Sequence, residues 1–240
     1  MKILDDILST LDFDAEVRDI RQGTFQTAVV TRHCGLAATL LDPGPHQEVS
    51  PVKAAGALLE KGALELAQMA YSSTLLEATI GMAAINSLLE IDEARCAPLN
   101  SRDLLAEKGK GKAVAIIGHF PFVLQLRPIA RELWVIEKRP QEGDLSEVET
   151  ERWLPQADVV GITGTALTNH TIEALLRLCR PDAFVALLGG TTPLSPALFA
   201  YGVDAVSGAR VVDDGAVLLG VSQGATYRQL KGLQRLTMVR

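Results

Sequence analysis

Cysteine is scarce in this 240-residue chain: Cys34, Cys96 and Cys179 are far apart and odd in number. That excludes a disulfide framework and a CxxC metal knuckle, and it suits a reducing compartment, so the expected home is the cytoplasm. Each cysteine reads as a small core residue. Aromatic residues make up only 5% of the chain, too few for the stacking platforms that bind single-stranded nucleic acid. Basic residues are outnumbered, 23 against 29 acids, and a net charge of −6 argues against nucleic acid or an anionic membrane as partner. No apolar run reaches the roughly 18 residues of a membrane span. Asp5 and Asp6 interrupt what would be the apolar segment of a leader, so none is expected. No Walker loop, HExxH, paired CxxC or Ser–His–Asp order occurs.

What is present is ordinary for a globular protein, 48% hydrophobic and 22% charged, with enough length for one large or two ordinary domains. Ile3, Leu4, Ile7, Leu8 and Leu11 predict an amphipathic helix at the start. The period then changes to two. Residues 16–20, 25–30 and 36–40 predict an antiparallel meander that turns at Gln22-Gly23 and ends at Asp42-Pro43-Gly44-Pro45. Residues 51–71 are helical, broken near Lys61-Gly62, and a second helix runs from about Ser73 to Leu89. Residues 1–100 are therefore expected to form an α+β domain, with the boundary in the polar stretch 91–101.

Beyond Lys112 the style changes. Short apolar runs recur at 113–117, 133–136, 158–162, 184–188 and 203–206, with helical segments between them. Such runs alternating with helices predict a mostly parallel sheet covered on both faces, a Rossmann-like α/β domain over 101–240. Ala216 to Val221 reads as one more strand.

Ligands of open parallel sheets bind outside the carboxyl ends of the strands. There the chain places Gly118-His119-Phe120-Pro121, Glu137-Lys138, Thr163-Gly164-Thr165 leading to Asn169-His170, and Gly189-Gly190-Thr191-Thr192. His119 and His170 are candidates for proton transfer or for metal ligation through a neutral nitrogen. Glu137 lies where dinucleotide folds carry a ribose-binding acid. The glycine fingerprint is absent, however, and Phe120 and Pro121 would obstruct a pyrophosphate, so NAD is not expected. Backbone N–H groups around Gly164 and Gly190, with the hydroxyls of Thr163, Thr165, Thr191 and Thr192, are expected to cradle an anion. Asn86, in a helix otherwise of Gly, Ala, Ile and Leu, is expected to offer its amide across the domain interface. His33 and His46 belong to the first domain.

Gly81-x-Ala-Ala-x-Asn86, Gly118-His-Phe-Pro121, Leu133-Trp-Val-x-Glu137, the string from Ala157 to Thr171 and the loop from Gly189 to Pro196 together resemble the DUF364 family with its DUF4213 N-terminal part. That family is described by heavy-metal chelation. One departure is that Gly189-Gly190-Thr191-Thr192-Pro193 stands where Gly-Pro-Ser/Thr-Thr-Pro is expected. The resemblance implies an enolase-N-terminal-like domain followed by a Rossmann-like one, with a site between them. The function expected is binding or transforming a small anionic metabolite linked to chelation, with His119, His170 and Glu137 as catalytic candidates. The ligand contacts expected are Asn86, Gly118, Phe120, Thr163, Gly164, Thr165, Asn169, Gly189, Gly190, Thr191 and Thr192. The alternative is a carrier or sensor that binds a transition metal directly through His119, His170 and Glu137. A small molecule is the expected partner, with a homodimer as an option.

Overall fold

The computed structural model describes residues 1–41 and 52–240. The expected end of the meander at residues 42–45, His46 and the start of the helical stretch at Pro51 lie outside them. Helix α1 (Lys2–Leu8) sends Ile3, Leu4 and Ile7 into the core. Strands β1 (Asp19–Gln22), β2 (Gln26–Val30) and β3 (Cys34–Ala38) then form the antiparallel meander.

Helices α2 (Ala63–Gln68) and α3 (Leu75–Leu88) follow. Eleven of the 14 residues of α3 are buried, so it has no solvent face and is packed on all sides. Its small residues make this possible. A Cβ on Gly81 would lie 1.9 Å from the Ala70 nitrogen, and one on Gly35 of β3 would lie 2.1 Å from the Ala83 carbonyl oxygen. Backbone therefore meets backbone on two faces of α3.

The second half is built from β4 (Cys96–Ala97), α4 (Ser101–Gly109), β5 (Ala113–Ile117), α5 (Val123–Leu126), β6 (Glu132–Glu137), β7 (Leu145–Ser146), α6 (Thr150–Trp153), β8 (Val159–Thr163), α7 (Thr165–Thr168), α8 (Ile172–Leu178), β9 (Phe184–Leu188), β10 (Ala205–Val211), α9 (Asp214–Ser222) and β11 (Leu233–Val239). One sheet of eight strands runs β4-β11-β10-β9-β8-β5-β6-β7. The six from β10 to β7 pair in parallel, and β11 is antiparallel to β10 and to β4. The chain is thus mixed α/β, a small antiparallel sheet beside a large, mostly parallel one.

The sheet order fixes where a ligand fits. From β5 the chain moves to β6 on one side, then returns past β5 to β8 on the other. The strand order reverses at β5, and the crevice outside its carboxyl end is the switch point where such sheets bind ligands.

Ala216 to Val221 is a helix, not a strand. The Asp213 carboxylate caps it by accepting the Ala216 N–H at 3.0 Å, and Val217 and Val221, one turn apart, are its buried face. A short apolar run has no period of its own to separate the two states. The last strand is instead β11, paired with β10 over seven residues. The two halves share a continuous core: Ile3, Ile80 and Ile85 cluster with Ala115, Val160, Ile162 and Leu167. Among the described residues no helix is long and apolar enough to cross a membrane.

Candidate functional site

A cleft of about 400 Å³ opens at the switch point. Strand β5 delivers Gly118 and His119 to it, β6 delivers Glu137, and β8 with α7 delivers Thr163, Thr165 and Asn169. Ile136, Ala166, Leu175 and Leu178 supply apolar wall. All of its lining lies between Ile117 and Leu178, so the cleft belongs to the second half of the chain alone.

His119 is held on two sides. Its backbone N–H donates to Glu137 Oε2 at 2.9 Å, and its Nδ1 is 2.8 Å from Asp144 Oδ2. The Asp144 carboxylate is 4% exposed and also accepts the Gln141 N–H at 3.0 Å. A carboxylate in this position fixes the imidazole with its proton on Nδ1 and leaves Nε2 as the acceptor. Nε2 has no protein partner among the described residues, and His119 lines the cleft. The arrangement can take a proton from a ligand and return it. Asp144 was not a sequence candidate; it sits in an irregular loop before β7 with no motif around it.

Glu137 lines the cleft with its carboxylate engaged by the backbone. Its two oxygens accept the N–H groups of His119 and Lys138, at 2.9 and 2.7 Å. The cleft is also not basic: Glu137, Glu147 and Glu151 line it with a single Lys138, whose Nζ is 3.9 Å from Glu147. An anion would meet no unpaired lysine or arginine there.

The signature from Thr163 to Thr171 is divided by the structure. The Thr163 and Thr165 hydroxyls are 2.9 Å apart at the cleft. The Asn169 side-chain oxygen accepts the Thr171 N–H and hydroxyl, closing the turn just before α8. His170 leaves the cleft. It has φ of 62°, the one positive value on a non-glycine residue among those described, and its Nε2 lies 2.7 Å from the Ala70 carbonyl oxygen in the first half of the chain. Gly164 is a packing glycine: its N–H donates to Leu188, and a Cβ on it would lie 2.4 Å from Thr192 Oγ1. Its amide is therefore not open to an anion.

The residues expected to hold ligand across the interface hold the interface itself. The Asn86 amide donates to the carbonyls of Leu36 at 2.9 Å and Thr191 at 3.1 Å. Thr191 Oγ1 accepts the Ala38 N–H at 2.9 Å. Thr191 and Thr192 are 3% and 2% exposed, out of reach of a bound molecule. Gly189 lines a separate cavity beyond Phe120, and Gly190 packs against Tyr227 of that cavity's wall. His33, on the surface, has its Nε2 3.3 Å from Glu90.

The fit to a metal is poor. His170 is turned away from His119 and Glu137, and no three His, Cys, Asp or Glu side chains among the described residues converge on a point. Cys34, Cys96 and Cys179 likewise belong to no such cluster among the described residues. Burial pushes Cys34 up to about 12 and Cys179 to about 11, and burial with the nearby Asp92 and Glu93 raises Cys96.

Residues 100–240 match the model of the DUF364 family and residues 4–89 that of DUF4213, both described as "Putative heavy-metal chelation". An uncharacterized protein of Methanocaldococcus jannaschii is 27% identical over 184 residues, 74% of this chain and 71% of that protein. The crystal structure of a DUF364 protein of unknown function from Desulfitobacterium hafniense superposes with a TM-score of 0.83 at 27% identity, covering 100% of this chain and 98% of that one. A DUF364 structure from Pyrococcus horikoshii has the same fold, with a TM-score of 0.85 at 21% identity, covering 99% and 100%.

Proposed function

We propose, from the premise that this chain belongs to the DUF364 family, that its switch-point cleft binds a small polar organic molecule and that His119 exchanges a proton with it. One observation supports the reading: His119, which lines a cleft at the fold's ligand position, is held at Nδ1 by the little-exposed Asp144 carboxylate, and its Nε2 has no partner among the described residues. The family's link to heavy-metal chelation belongs, in this reading, to the ligand, an organic molecule with chelating groups, because the described residues do not assemble a metal site. The Thr163 and Thr165 hydroxyls would orient its polar groups, and Glu151 and Glu147 favour hydroxyl or amine groups over carboxylates at the rim.

Ala174 on α8 lines the cleft, so Ala174→Trp sets a bulky ring against the space a ligand would take. Native mass spectrometry after incubation with a deproteinised metabolite extract should show an adduct of small-molecule mass on the wild type and none on Ala174→Trp. Equal adduct on both would overturn the reading.

A further inference from the structure

Phe120 separates the cleft from a second cavity of equal size, about 400 Å³. Its ring lies 3.6 and 3.8 Å from the positions a Cβ would take on Gly118 and Gly189, which both adopt positive φ. Phe120 and Phe122, with centroids 5.3 Å apart and planes 20° from parallel, form one wall of this cavity. Tyr227 forms another. It packs on Gly190 so closely that a Cβ there would lie 2.5 Å from its ring.

The charge of this cavity runs against that of the chain. Arg102, Arg228 and Arg235 line it and no acidic residue does, in a protein of net charge −6. Arg102 is matched by Asp103 and Gln125. Arg228 and Arg235 have no carboxylate partner among the described residues, and the Arg235 guanidinium stands 5.8 Å from the Tyr227 ring centroid. A guanidinium fork pairs with a carboxylate or phosphate, and flat aromatic walls favour a flat ring.

We infer that this cavity is a separate subsite for a flat aromatic anion, its ring against Phe120, Phe122 and Tyr227 and its carboxylate or phosphate on Arg228 and Arg235. It gives the expected anionic ligand the cations that the switch-point cleft lacks, and it stands whether or not His119 transfers a proton.

Calorimetric titration with phenyl phosphate tests it, with inorganic phosphate and phenol as the two halves of the probe. Phenyl phosphate should bind saturably and at least about tenfold more tightly than either half, and more weakly as salt is raised. Replacing both exposed arginines (Arg228→Gln with Arg235→Gln) should weaken it by about tenfold or more with an unchanged melting temperature. His119→Gln should leave it unchanged, which separates this site from the cleft. Undiminished binding in the double variant, equal binding of inorganic phosphate, or no saturable binding would each overturn the inference.

Discussion

The Nδ1 of His119 and the Oδ2 of Asp144 are 2.8 Å apart, which leaves Nε2 as the ring nitrogen without a partner among the described residues. The neutral ring should carry its proton on Nδ1, readable in the ¹⁵N–¹H correlations of histidine-labelled protein. In Asp144→Asn the amide can donate to Nδ1 instead, moving the proton to Nε2 and removing the acceptor. An unchanged tautomer in Asp144→Asn would mean that the carboxylate does not orient the ring.

Asn86 and His170 should act on stability rather than on ligand binding. Asn86→Ala leaves the Leu36 and Thr191 carbonyls without that donor at a packed seam, costing about 1–3 kcal/mol in urea denaturation. His170→Ala removes a bond to the Ala70 carbonyl, with a loss of about 1 kcal/mol. Both proteins should keep the small-molecule adduct. Loss of the adduct at unchanged stability would return these residues to the site.

Gly164→Ala distinguishes close packing from an anion cradle. The added Cβ would stand 2.4 Å from Thr192 Oγ1 and 2.6 Å from its nitrogen, so a shift of the 189–192 loop costing about 1–3 kcal/mol is expected. A protein with wild-type stability would contradict the packing account.

Asp158 sets part of the acid limit. Its Oδ2 accepts the Ala113 N–H at 2.9 Å, and Arg180 and Arg131 stand 3.2 and 3.4 Å away, which together hold the carboxyl below the ordinary 3.8. A carboxyl lowered on folding stabilises the protein above its unfolded pKa, and that contribution disappears as pH falls through the folded value. Asp158→Asn should be less stable than wild type at neutral pH, with the difference shrinking below 3.8. A gap that widens toward acid would reverse the sign.

The sequence carried the fold where packing follows local pattern. Strands β5 and β9 have the limits of their apolar runs because both faces of each are covered. The carboxyl-edge rule placed Gly118, His119, Glu137, Thr163, Thr165 and Asn169 at one cleft, where the structure has them. Properties set by long-range geometry were not legible. Asp144 reaches His119 from 25 residues away through an irregular loop. His170 follows Asn169 directly, but its left-handed backbone turns it to the other half of the chain. Thr191 and Thr192 look like a ligand turn until the meander and Asn86 are seen on Thr191 and Gly164 against Thr192.

The central claim concerns one atom, Nε2 of His119. With four histidines in the chain, ¹⁵N-histidine labelling gives a spectrum in which each ring can be followed separately. On titration with the metabolite fraction that yields the adduct, the His119 Nε2 resonance should move saturably, those of His33 and His170 should stay in place, and Ala174→Trp should abolish the change. A stationary His119 resonance in protein that demonstrably holds the small molecule would contradict the account.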